Sequence, residues 1–270
     1  MIVTVSKRER LLRRVGRAYR TVEHGYRYTR HLIRGNSFSG DVSWVRAGSR
    51  PLVLLHGFLG TRGTMVPLTR RFRADGRAVF SYHVGTFQLE SMVKSAEVLR
   101  DRLEQIVTDL EVDRVDVVGF SMGGLVALHT LKFLQGERYI RRLVTLGSPF
   151  RGTWVAVPGV AVMGLISPSL WQVVPHSPFL NRLRAAPMPK GVRIRQIHAS
   201  HDALCPNPGP LEGVDSERDF IMLPGGHSTL VVARHVYPRI REFIDAEDLT
   251  LVRDEPPASS ITDELQRDSA

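Results

Sequence analysis

Three short segments hold residues equipped for nucleophilic chemistry at a carbonyl carbon: Gly119-Phe120-Ser121-Met122-Gly123, Ser200-His201-Asp202-Ala203 and Gly225-Gly226-His227-Ser228. A serine hydroxyl attacks an ester only when a base takes its proton. The base works best when a carboxylate fixes its tautomer and stabilises its protonated form. Ser121 is the candidate nucleophile. Glycines on both sides suit a strained turn in which flanking Cβ atoms would collide with backbone, and the motif lies between the apolar run DRVDVV and the helix-compatible GLVALHTLKFL. His227, in the glycine-rich LPGGHST, is the candidate base, with His176, His198, His201 and His235 as the competing histidines. Asp202 follows the apolar run VRIRQIHA and is the candidate acid. Asp215 and Asp219 also precede the histidine but lie close to the start of the next expected strand.

Acyl transfer also needs donors for the negative charge that develops on the carbonyl oxygen. The amide of Met122, at the start of a helix, is one candidate. Phe58, in His56-Gly57-Phe58-Leu59-Gly60, is the other, because that loop's flexible backbone can aim its N–H at the same oxygen.

These residues need a scaffold that brings distant segments to one edge, and the pattern of the chain supplies one. From residue 50 onward, short apolar runs at 51–55, 77–82, 114–120, 141–147, 192–199 and 218–224 alternate with helical periodicities at 65–72, 90–110, 122–134 and 233–244. Strand alternating with helix is the signature of an α/β domain with a mostly parallel sheet flanked by helices. The alternation fails between about 150 and 190, where Pro, Gly, Trp and Val are frequent, so this stretch is expected to be a short cap or lid inserted over the sheet. The expected organisation is a basic amphipathic helix over 1–34, the α/β domain over 35–246 and an acidic tail over 247–270.

Charge is unevenly spread. The formal charge is +10, and residues 1–34 carry ten Lys and Arg against Glu9 and Glu23. Leu11, Val15, Tyr19, Val22 and Tyr26 form the head's apolar stripe, to be packed on the body or a partner, or laid on an anionic membrane surface. Eight acidic residues from Asp245 onward make the tail negative. A basic head, a moderately basic body and an acidic tail do not read as a nucleic-acid groove, so no nucleic-acid partner is expected. The single cysteine, Cys205, can form no disulfide within the chain. The first 14 residues reach arginines before an apolar stretch can form, and the run Val155–Ile166 is too short to span a bilayer. The expectation is a cytoplasmic protein, membrane-peripheral at most, without signal peptide or transmembrane helix.

HGFLG, GFSMGG, TLGSPFRGT, SHDALCP and GGHS, in this order, resemble the α/β-hydrolase superfamily, and within it the bacterial lipase and esterase branch. The resemblance covers roughly residues 50–245. TLGSPFRGT is similar to the TLGTPHRGT of triacylglycerol lipases, with serine and phenylalanine replacing threonine and histidine. It implies a Ser121, Asp202 and His227 triad in the family's order, an oxyanion hole from Phe58 and Met122, and hydrolysis of lipid or acyl esters. The segment after residue 150 would be the lid or acyl-binding wall, with PSLWQVVPHSPFLNRL as its amphipathic helix and turn. Trp154, Val160, Met163, Leu165, Trp171 and Phe179 would then line an apolar substrate site. No cofactor is implied, and no cluster of oxygen ligands marks a metal site. An acyltransferase or thioesterase would use the same triad, and a non-catalytic relative would bind a membrane through the basic head.

Overall fold

The computed structural model describes residues 16, 22–30, 49–58, 60–82, 91–158, 167–206 and 208–246. A helix over residues 22–30 (α1) precedes strand β1 (Leu52–Leu55). Then come α2 (Val66–Ala74), β2 (Val79–Tyr82), α3 (Met92–Asp109), β3 (Val115–Phe120), α4 (Met122–Phe133) and β4 (Ile140–Leu146). The cap contributes α5 (Pro168–Gln172) and α6 (Pro178–Ala185), followed by β5 (Arg193–Ala199), β6 (Phe220–Leu223), α7 (Thr229–Val232) and α8 (Tyr237–Asp245).

The six strands form one sheet in the order β2-β1-β3-β4-β5-β6, and every pairing is parallel. The chain therefore winds outward from β1 to β2, then returns to lay β3 on the other side of β1. Connections leaving β1 and β3 diverge at that reversal, opening a crevice at the carboxyl ends of these two strands. β1, β3 and β4 are buried throughout, which explains why they read as unbroken apolar runs rather than alternating ones.

Alternate residues feed two cores. Val53, Leu55, Val115 and Val117 face one side, where the stripe Met92, Ala96, Leu99, Leu103 and Ile106 of α3 packs with α4 and with Leu180 and Leu183 of the cap. Leu52, Leu54, Val118 and Phe120 face the other, against Leu68 and Phe72 of α2, Leu230 of α7 and Ile240 and Phe243 of α8. Tyr28 of α1 packs on this second core, so the described part of the basic head docks on the body.

Strand and helix limits match the sequence expectations to within two residues, with two corrections. The last helix does not start at 233: Ala233 is extended and caps α7, and α8 begins at Tyr237, with Pro238 in its first turn where its missing N–H costs nothing. The amphipathic helix and turn expected of the cap is a pair of short helices, with the turn between them at Pro175 and at His176, whose φ is +64°.

The polar groups within the cores are specific. Arg142, 1% exposed, donates from Nη1 to the carbonyls of Phe243 and Ile244, each at 2.6 Å, and from Nη2 to Ala246 O. It thereby satisfies the last carbonyls of α8, where a cation also complements the helix dipole. Arg77 joins the buried Asp116 at 3.2 Å and also reaches Asp245. His129 of α4 stacks parallel to Phe179, centroids 5.5 Å apart, and burial, reinforced by Arg182, pushes its pKa down to about 4. His198 of β5 is 1% exposed, and burial pushes it down to about 4 as well, against the pull of the Asp202 charge.

Two stability predictions follow from these groups. Arg142→Leu strands the three carbonyls and should cost about 2–4 kcal/mol in denaturant unfolding; a loss under about 0.5 kcal/mol would contradict that role. Both histidines stay neutral in the native protein while the unfolded imidazole titrates near 6.5. Between pH 6.5 and about 4 the unfolded chain therefore takes up protons that the folded one refuses, and stability falls as pH falls. His198→Leu should flatten this acid slope when unfolding free energy is measured across the window, and an unchanged slope would contradict the assignment.

Candidate active site

Ser121 sits at the junction of β3 and α4, at φ +53° and ψ −122°. A side-chain-bearing residue pays of order 1–3 kcal/mol for such a backbone and keeps it only where its surroundings leave no alternative. Here the start of α4 is pressed against the sheet. A Cβ on Gly123 would lie 2.7 Å from both Leu55 O and His56 O, so only glycine permits the approach. The Ser121 N–H donates to Leu146 O at 2.8 Å, tying the turn to the end of β4.

The histidine and the acid meet beside this turn. His227 Nδ1 lies 2.7 Å from Asp202 Oδ2, with the two side chains 15% and 1% exposed. Asp202 is itself held from behind, since Oδ1 accepts the Leu204 and Cys205 amides at 2.9 and 3.0 Å. That leaves Oδ2 for the ring. On its other side the imidazole packs against Phe120, the residue before Ser121, with ring centroids 4.7 Å apart. Space for the pair comes from Gly147 at the end of β4, φ +58°, where a Cβ would lie 3.1 Å from His227 Nδ1 and 3.2 Å from Asp202 Oδ2. Gly147 N donates to Ile197 O at 2.8 Å, so the ends of β3, β4 and β5 stand side by side.

The loop after β1 completes this edge. A Cβ on Gly57 would lie 2.8 Å from Ser121 Cβ and 3.4 Å from Oγ, which places the loop directly against the serine. Gly60 N donates to Gly57 O at 2.9 Å, closing a turn around Phe58. Met122 is the first residue of α4, so its N–H has no acceptor within the helix. Both amides expected to hold an oxyanion thus belong to segments bordering Ser121.

The competing residues have other surroundings. Asp219 pairs with Arg195 at 2.8 Å, and Asp215 accepts the amides of Glu217 and Arg218. His201 bonds Ser200, while His176 and His235 are exposed. Cys205 is buried beside the acid, and burial, aided by the Asp202 charge, pushes its thiol up to about 12, far from a reactive thiolate.

Val160, Met163 and Leu165 lie outside the described residues. Trp154 and Trp171 are exposed at 66% and 58%, and Phe179 is packed into the cap's contact with His129. Trp154, Arg151, His176 and Arg184 of the cap, with Pro206 and Met222, line a cleft of about 810 Å³ whose lining includes none of Ser121, Asp202, His227, Phe58 and Met122.

Two neighbours of the site, Gly147 and Thr229, escaped the sequence reading, and His198, weighed there only as a competing base, is a third. Gly147 carried a signal, a glycine closing the apolar run RRLVTLG, which marks a strand end needing positive φ or close approach. His198 lies near the pair, with neither ring nitrogen hydrogen-bonded among the described residues. Thr229 binds the His227 loop from within, its Oγ1 accepting the Gly226 amide at 3.1 Å.

Among solved structures the chain is similar to the lipase BlEst2 of Bacillus licheniformis. With the propeptide form the TM-score is 0.63 at 16% identity, covering 78% of this chain and 53% of the other. With the mature form it is 0.59 at 14%, covering 76% and 96%. The chain thus spans about half of the propeptide form and nearly all of the mature one. A monoacylglycerol lipase of Paleococcus ferrophilus gives 0.52 at 14%, covering 73% and 94%. At these identities the likeness is one of fold. A sequence search of curated proteins returns no match. A family model described as the alpha/beta hydrolase family matches residues 52–265, and over that span this chain belongs to the alpha/beta hydrolase family.

Proposed function

We propose that the protein hydrolyses carboxylic esters, of lipid or acyl type, through Ser121, His227 and Asp202. The observation that carries the reading is the short bond between His227 Nδ1 and a buried Asp202 oxygen, beside a serine held at the strained turn. With Nδ1 engaged, Nε2 is the nitrogen left to take the Ser121 proton.

Attack of Ser121 Oγ on the ester carbonyl forms the new C–O bond as the proton passes to His227. The Phe58 and Met122 amides hold the oxyanion. Collapse breaks the bond to the alcohol, which leaves with the proton from His227. Water, deprotonated by the same ring, then releases the acid and restores the serine. Asp202 stays ionised throughout, orienting the ring and offsetting its charge. The exposed rings of Trp154 and Trp171 on the cap support a substrate with an apolar part, and Phe179 belongs to the same cap.

The test is turnover of p-nitrophenyl butyrate and labelling by a fluorophosphonate probe. Ser121→Ala should lower kcat by roughly 10⁴–10⁶ with an unchanged melting temperature. Gly57→Ala, which drives a methyl into the Ser121 side chain, should cost on the order of 10². A Ser121→Ala variant that still turns over the ester, or a folded wild type that the probe does not label, would reject the reading.

A further inference from the structure

The loop bearing His227 contains two consecutive glycines, and glycine has the greatest backbone freedom of any residue. A base set on such a segment must be tied down, since a displacement of about 1 Å is enough to lose much of its effect. Thr229 closes the loop on itself, donating from its N–H to Gly226 O at 3.0 Å and accepting the Gly226 amide on Oγ1 at 3.1 Å. These bonds set the loop's shape but not its place on the body.

One tie to the body comes from α2, where Arg71 donates to the carbonyls of Val232 and Ala233 at 2.7 and 3.1 Å. This holds the far end of α7, away from His227. At the near end the His201 N–H donates to Gly225 O at 3.0 Å and Asp202 holds the His227 ring, and α1 adds a tie on the Thr229 side. His24 Nδ1 lies 3.0 Å from Thr229 Oγ1, joining residues 205 apart in sequence. One turn later Tyr28 packs on Phe120 at 5.9 Å between centroids, and Phe120 in turn packs on the His227 ring at 4.7 Å. The helix thus touches the hydroxyl that closes the His227 loop and the Phe120 ring on which His227 packs. Its inward residues, His24, Gly25 and Tyr28, are partly buried, while Val22 and Tyr26 on the outer face are 72% and 70% exposed.

We propose that α1 is a positioning element for the His227 loop and that His24 is its positioning residue; the proposal rests on His227 being the base. Helix α1 then belongs to the catalytic domain's working parts, acting through the His227 loop. Losing the His24 bond leaves the turn closed and held at Gly225 and at the Asp202 bond, but lets its Thr229 side shift relative to Ser121, so proton transfer suffers while substrate binding does not.

The full chain is compared with His24→Ala, His24→Asn, Thr229→Val, the double variant His24→Ala with Thr229→Val, and the outer-face control Val22→Ala. Readouts are the rate of fluorophosphonate labelling, kcat and KM on p-nitrophenyl butyrate, and melting temperature. His24→Ala should slow labelling and lower kcat roughly threefold to tenfold with KM held within about twofold. His24→Asn, whose amide reaches the same hydroxyl, should recover most of the loss. Adding His24→Ala to Thr229→Val should cost nothing more, and Val22→Ala should match wild type. Wild-type labelling and kcat in His24→Ala, or additive losses in the double variant, would overturn the role of α1 while leaving the triad reading intact. Absence of labelling in the wild type would remove both. Should His24→Ala fail to fold, His24→Asn against Thr229→Val carries the same comparison.

Discussion

A serine at φ +53° and ψ −122° is held there by everything around it, and at Ser121 the holding is done by the seating of α4 across β1 and β3. The helix can come so close only because Gly123 brings no Cβ into the carbonyls of Leu55 and His56. Its remaining surface is almost wholly buried, among α3, the sheet and the cap. The core's packing energy therefore maintains the strained turn, and the turn lifts a hydroxyl to the carboxyl edge of the sheet.

The sheet divides its labour between its two ends. At the amino ends of the strands and beside α8, charged groups are buried in service of structure: Arg142 on the helix carbonyls, Asp116 with Arg77, and Arg195 with Asp219. Burial raises the pKa of Asp116, against the pull of Arg77, which bonds it directly. At the carboxyl ends the ionisable groups are few and each has a set place. Asp202 has both oxygens engaged, His227 is bound at one nitrogen, and the neighbouring His198 stays neutral because burial opposes its protonation. A neutral His198 adds no positive charge to compete for Asp202, so the carboxylate's field acts on the His227 ring.

Much of this was legible in residue order. Unbroken apolar runs such as 114–120 and 141–147 announce strands covered on both faces, and the stripe in α3 recurs at helical spacing because one side of that helix lies on the sheet. The glycine-bearing loops of Ser121 and His227 and the place of Asp202 just after an apolar run singled out these three residues, and the structure brings His227 to 2.7 Å from Asp202 beside the Ser121 turn. The cap was legible only as a failure of the alternation. Its two short helices are set by Pro175 and Pro178 and by the positive φ of His176, and the start of α8 was misplaced because α7 ends in an extended Ala233.

What the sequence by itself determined is the class of fold, the sites where glycine relieves backbone collisions and the residue types available for acyl transfer. These are local properties, written in spacing and in the steric demands of single turns. Only the tertiary structure decided which groups meet: that His24 reaches Thr229 across 205 residues, that Gly147 makes room for the imidazole and the acid, and that His198 is buried beside them. Contacts of that kind depend on how helices settle on a twisted sheet, where a shift of a few ångströms changes every partner, and no spacing along the chain encodes such a distance.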